Sequence, residues 1–293
     1  MTLRLLAIHA HPDDESSKGA ATSAYYASRG ARVIVVSCTG GERGSVLNEQ
    51  LGDQARAQAE RDMGGLRREE MRAAQEALGI EHRWLGYEDS GLPGPDEPLP
   101  PGSFATVPVE LSAEPLVRLV REVRPHVIVS YDENGGYPHP DHIRTHEVAM
   151  AAWNLSGDSG AYPEAGEPWE IKKFYYDRAF NPSRARAVYD LMLEREPDSP
   201  LTSELHRIIE WIGERVDTAT TRVPCGEFFE ARDAALRAHA SQVSPESPFF
   251  FWPNHLLREA WPTEDYELAH SRVHSDLPES DLFAGIDDEE EQA

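Results

Sequence analysis

The chain is expected to adopt an α/β fold, a mostly parallel sheet with helices on both faces and a smaller C-terminal lobe. Three observations predict it. Short apolar runs without turn residues alternate with segments of helical length, two of those runs end in dense polar motifs, and 293 residues suffice for one large α/β domain.

Leu3 to His9 reads as a buried parallel strand that stops at His9-Ala-His-Pro-Asp-Asp-Glu15. A helix is expected from about Ser17 to Arg29, closed by Gly30, and Arg32 to Cys38 is a second β-branched strand before the turn Thr39-Gly-Gly-Glu-Arg-Gly44. Strand, helix and strand make a βαβ unit. Residues Asn48 to Gly65 are polar and carry no assignment; a helix from about Leu66 to Leu78 then leads through Gly79 to a short strand near His82 to Leu85. Glu88 to Pro108 holds six prolines, which marks a long surface loop. Ser112 is expected to cap a helix to about Val123, with Pro115 in its first turn, and His126 to Tyr131 is another buried strand. That strand runs into Asp132-Glu-Asn-Gly-Gly-Tyr-Pro-His-Pro-Asp-His142 and a helix to about Leu155.

The pattern changes after Gly157, so residues 1–157 are read as the catalytic core. Residues 158–280 are read as an α/β lobe, or an extension of the first sheet, that completes the substrate site. They hold a strand at Ile171 to Phe180 and helices near Arg184 to Glu194, Glu204 to Val216 and Phe228 to His239. Residues 281–293 form an acidic tail, with an unbroken acidic run from Asp287 to Glu291.

Composition excludes several classes. A net charge of −24 disfavours nucleic acid and anionic membranes as partners and fits a small neutral or cationic substrate. No apolar stretch approaches the roughly 18 to 20 residues that span a bilayer, and Met1 to Ala10 lacks the organisation of a signal peptide, so a cytoplasmic location is expected. Cys38 and Cys225 are the only cysteines, too few for a disulfide framework or a thiolate zinc site. Any metal must sit on His and carboxylates. The sequence assigns no oligomeric state.

Ligands of open parallel sheets bind beyond the carboxyl ends of the strands, where both polar motifs fall. The first supplies His11 and Asp14, the second His142. Two imidazoles and one carboxylate leave coordination positions open for water and substrate, as a hydrolytic site requires. Zn²⁺ is the expected cation, one per chain, and Fe²⁺ suits the same set. A non-haem iron oxygenase is the distant alternative, although Asp13 beside the ligand Asp14 is a spare carboxylate of the kind hydrolysis uses as a base.

His9-Ala-His-Pro-Asp-Asp-Glu15, Gly40-Gly-Glu42, Arg67 with Glu70, Asp89-Ser-Gly91 and Gly135-Gly-Tyr-Pro-His-Pro-Asp-His142 resemble the LmbE-like (PIG-L) metal-dependent N-deacetylases. Within that family Glu15-Ser-Ser-Lys-Gly19, Tyr131-Asp-Glu-Asn-Gly-Gly-Tyr137 and Leu282-Phe-Ala-Gly285 resemble most the members that hydrolyse mycothiol S-conjugates. The resemblance implies a Rossmann-like fold and a catalytic zinc on His11, Asp14 and His142, with Asp13 as general base. It also implies that His139 and Tyr137 stabilise the tetrahedral oxyanion, Asp141 holding His139 charged and oriented. Arg67 and Asp89 match positions that contact sugar hydroxyls, and Glu42 is placed to approach the same crevice.

The implied substrate is a pseudo-disaccharide thiol conjugate, cleaved to a mercapturic acid and glucosaminyl-inositol. The alternative is deacetylation of N-acetylglucosaminyl-inositol at an identical centre. A large acyl group needs an open region, for which the Glu88 to Pro108 loop and the second lobe are the expected wall, with Lys18 donating to the acyl portion.

Overall fold

The computed structural model describes residues 2–94, 97–213 and 215–286. The first half runs β1 (Arg4–His9), α1 (Asp14–Ser17), α2 (Ala20–Ser28), β2 (Arg32–Thr39), α3 (Asp53–Leu78), β3 (Glu81–Tyr87), α4 (Val109–Ser112), α5 (Glu114–Val123), β4 (Val127–Ser130) and α6 (Pro140–Leu155). The second half adds β5 (Lys173–Asp177), α7 (Pro182–Arg195), α8 (Leu201–Ile212), β6 (Thr221–Val223), α9 (Phe229–Ala238), α10 (Asn254–Ala260) and β7 (Glu264–Ser271).

All seven strands form one sheet in the order β3-β2-β1-β4-β5-β7-β6. Strands β1 to β5 pair parallel, while β7 lies antiparallel to β5 and β6 antiparallel to β7. The chain builds outward from β1 through β2 to β3 and then crosses back to place β4 on the other side of β1. The gap between β1 and β4 is therefore the topological switch point where such sheets bind ligands. Residues 158–280 add three strands to this same sheet.

The central strands are apolar on both sides because helices cover both faces. Leu5 and Ala7 of β1 pack with residues of α2, α7 and α10, whereas Leu6 and Ile8 pack with Leu116, Val120, Val148 and Ala152 of α5 and α6. Among the described residues no helix is long and apolar enough to cross a membrane.

The structure departs from the sequence-based expectation in five places, one of them the expected tail 281–293, in which Leu282 and Phe283 are buried in the hydrophobic core. The helix expected from Ser17 is two helices, separated at Gly19 (φ +97), where a Cβ would stand 2.8 Å from the Tyr266 hydroxyl oxygen of β7. The unassigned segment is largely helical, since α3 starts at Asp53 and passes a non-helical Asp62. Ser112 ends a short turn, α4, and makes no cap; its Oγ donates to Val109 O instead. The Ile171 to Phe180 strand contracts to β5, after which Arg178 N–H bonds Asp265 O. The acidic run Asp287 to Glu291 lies outside the described residues.

Candidate active site

Both motifs fold through their own polar side chains. After β1, Asp14 Oδ2 accepts the His11 N–H at 2.9 Å and Glu15 Oε2 accepts the Asp13 N–H at 2.9 Å. Between them Asp13 adopts φ +105, a conformation disfavoured for a residue with a Cβ and held here by its neighbours. After β4, His139 caps α6, its Nδ1 accepting the Asp141 N–H at 3.1 Å, and Pro140 follows in the first turn. His142 then projects from the first turn of α6.

Two overlapping sets of side chains converge closely enough to hold a cation: His11, Asp14 and His142, and His11, His139 and Asp141. The hydrogen bonds discriminate between them. The His142 Nδ1 lies 3.0 Å from Gly135 O, which fixes its proton there and leaves Nε2 free; that Nε2 is buried without a hydrogen-bond partner and faces Asp14 Oδ2 at 3.4 Å. His11 repeats the arrangement. Its Nε2 is 3.2 Å from Asp141 Oδ2 and 3.5 Å from Asp89 Oδ1, while Nδ1 faces Asp14 Oδ2 at 3.6 Å. A metal-binding histidine typically donates its second N–H to a carboxylate or carbonyl, and both do. Asp141 has its oxygens engaged by His11 and by the Ser90 N–H and hydroxyl, which disfavours the second set. Two imidazoles and a carboxylate oxygen therefore fit a divalent cation.

Asp14 is held ionised. Burial opposes its charge, but Lys18 and His142 overcome that and keep its carboxyl well below the usual range. Lys18 Nζ lies 2.6 Å from Asp14 Oδ1, so the ammonium expected at the substrate is committed to the back of a ligand. Asp13 behaves differently: burial raises its pKa more than the adjacent Arg67 lowers it. Arg67 Nη2 donates to Asp13 Oδ2 at 2.8 Å and to Pro12 O, and Nη1 to Gly41 O at 3.2 Å. The guanidinium is buried and fixes the carboxylate, while Asp13 still lines the crevice.

His139 departs from the charged state expected of it. Burial and then the neighbouring His11 and His142 lower its pKa to about 4, and the Asp141 carboxylate is directed to His11 and Ser90 instead. With Nδ1 accepting from a backbone N–H, a neutral ring carries its proton on Nε2 and can act as a donor. Tyr137 remains a phenol, its pKa raised to about 12 by burial and the nearby Asp14. Asp89 is gathered in beside His11, and Glu42 Oε2 accepts the Asp89 N–H at 3.1 Å. Burial pushes both cysteine thiols up, Cys38 to about 12.

Several residues at the centre were not legible beforehand. Tyr131 stacks on His142, ring centroids 4.3 Å apart, and Ser90 braces Asp141; both lie within quoted motifs without an assigned part. His239, at the end of α9, reaches back so that its Nε2 lies 2.7 Å from Glu15 Oε1, both side chains being buried. Burial opposes the charge of Glu15, yet His239 holds it near pKa 2. No local signal announces a pair so distant in the chain.

A crevice of about 410 Å³ opens from this centre. Asp13, Asp14, Lys18 and Tyr137 line it, and side chains from residues 179–264 supply most of the rest. Among the described residues, none of its lining comes from the Glu88 to Pro108 loop, and Glu42, Arg67 and Asp89 are not part of it either.

A doubly wound sheet with a metal-type ligand set at its switch point defines the class, and the chain belongs to the GlcNAc-PI de-N-acetylase (PIG-L) family, which it matches over residues 6–153. The mycothiol S-conjugate amidase of Streptomyces coelicolor is 52% identical over 98% of this chain and 98% of that one. The 1D-myo-inositol 2-acetamido-2-deoxy-alpha-D-glucopyranoside deacetylase of Streptomyces scabiei is 42% identical over 97% of this chain and 90% of that one. The fold is shared with the N,N'-diacetylchitobiose deacetylase of Pyrococcus horikoshii, at a TM-score of 0.60 and 18% identity, covering 90% and 83% of the two chains.

Proposed function

We propose that the chain is a zinc-dependent amidase that hydrolyses mycothiol S-conjugates, releasing a mercapturic acid and glucosaminyl-inositol. The observation that carries this reading is the 52% identity to an S-conjugate amidase over nearly the whole of both chains. The crevice beside Asp13 and Asp14 supports it, being far larger than an acetyl group needs.

His11, Asp14 and His142 would hold the cation, which supplies Lewis acidity for the amide carbonyl and acidifies water. Asp13 accepts the proton of the attacking water, a task for which its raised pKa makes it a stronger base. As the C–N bond breaks, Asp13 returns that proton to the nitrogen, which departs as a neutral amine. Arg67 keeps the carboxylate aimed, and Glu15 holds its backbone through the Asp13 N–H. Tyr137 and the Nε2–H of His139 are the donors for the oxygen that gains charge as the carbonyl carbon becomes tetrahedral.

The test is kcat/KM for a mycothiol S-conjugate and for N-acetylglucosaminyl-inositol on one preparation of known metal content. The conjugate should be preferred by at least ~10-fold. A preference for the acetyl substrate would overturn the amidase reading in favour of the deacetylase.

A further inference from the structure

Part of the crevice wall is aromatic. Phe180 follows β5, Trp211 lies on α8, and Phe249 and Phe250 belong to the run Pro248-Phe-Phe-Phe-Trp-Pro253. All four line the crevice. The Phe180 ring centroid is 5.0 Å from that of Trp211 and 6.1 Å from that of Phe249, and Trp211 and Phe249 are themselves 6.1 Å apart. These rings make a closed triangle of edge-to-face and tilted contacts.

The run that carries Phe249 is shaped, since Phe250 N–H and Phe251 N–H both bond Ser247 O and Trp252 Nε1 donates to Pro248 O at 3.0 Å. Core filling does not account for the cluster. Phe180, Trp211, Phe249 and Phe250 belong to none of the buried apolar clusters formed by the described residues, and Trp211 and Phe249 remain 50% and 41% exposed. Large aromatic surface left wet inside a concave, pre-shaped crevice marks a site for an apolar group. This crevice also contains Asp13 and Asp14, so its occupant is continuous with the bond being cleaved.

We infer that Phe180, Trp211 and Phe249 form the subsite for the substituent on sulfur and select conjugates of apolar, aromatic electrophiles over small ones. The inference rests on the S-conjugate reading above. In that geometry the amide lies at Asp13 and Asp14, the cysteine sulfur points away from the sugar, and its substituent reaches the rings. Neither the metal ligands nor the base takes part in this discrimination.

The test uses S-benzyl and S-methyl conjugates of the same thiol with the wild type, Trp211→Ala, Phe249→Ala and Trp211→Phe. The alanine variants should lose ~10- to 100-fold in kcat/KM for the S-benzyl conjugate and change less than ~3-fold for the S-methyl one, and Trp211→Phe should keep most of the S-benzyl activity. Equal losses on both conjugates, or none on either, would overturn the inference. A readout free of turnover is S-benzyl-N-acetylcysteine binding: it should perturb tryptophan fluorescence in the wild type and much less in Trp211→Phe. An identical change in both proteins would also overturn it. Failure of the parent reading looks different, because the wild type would then turn over neither conjugate.

Discussion

His11 Nε2 lies 3.2 Å from Asp141 Oδ2, and that carboxylate is itself braced by the Ser90 N–H at 2.8 Å. The pair turns the other nitrogen of His11 toward Asp14 and fixes which tautomer it can adopt. Asp141→Asn should therefore weaken metal binding by ~10- to 100-fold while leaving all three ligands in place. Competition titration against a chelator of known affinity measures this, and unchanged affinity would remove Asp141 from the support of the site.

Two adjacent carboxylates are assigned different tasks. Asp14→Ala should abolish stoichiometric metal, whereas Asp13→Asn should retain it and lose ~10²- to 10⁴-fold in kcat. Elemental analysis alongside kinetics separates them. Metal loss in Asp13→Asn with retention in Asp14→Ala would exchange the roles.

The turn after β2 and the base are linked through Arg67. Gly41 has φ +64, and a Cβ there would stand 2.1 Å from Arg67 Nη1. Gly41→Ala must displace the guanidinium from Asp13, so it should reproduce the kinetic defect of Arg67→Ala, a fall in kcat on the order of 10-fold with metal content intact. Strongly additive losses in the double variant would show that the two residues act separately.

Stability at low pH should depend on Glu279, whose carboxylate lies 2.5 Å from Lys173 Nζ and 2.6 Å from the Tyr175 hydroxyl. Burial opposes its charge, but Lys173 and its other partners leave its pKa below the ordinary 4.5. A lowered carboxylate stabilises the fold fully above that ordinary value, and the contribution disappears as pH falls through the folded-state pKa. Glu279→Gln should cost ~3 kcal/mol near neutrality, and the gap in Tm from the wild type should narrow below about pH 4.5. A gap that widened on acidification would contradict the assignment.

The legible elements were those whose burial is written locally. β1, β2 and β4 are covered on both faces, so each appears as an unbroken apolar run, and the motif at each strand end follows directly. The first half of α3 was opaque because it is polar and contains Gly64-Gly65, which reads as a stop. β7 mixes charged and apolar residues without an unbroken apolar run, and β6 has three residues, so neither stood out. At the site, the candidate ligand set His11, Asp14 and His142 could be read from residue type and spacing. That Lys18 pairs with Asp14, and Arg67 with Asp13, depends on side-chain direction, which spacing does not encode.

The contact between Glu15 and His239 joins positions separated by 224 residues. During synthesis the metal-binding motifs leave the ribosome long before α9 does, so for most of translation Glu15 has no imidazole to meet. The nascent chain can display every ligand and still lack the support that holds the Asp13 backbone. The support is therefore complete only once the C-terminal third has docked. A fragment ending near residue 153 would carry the family's sequence hallmarks without a working centre.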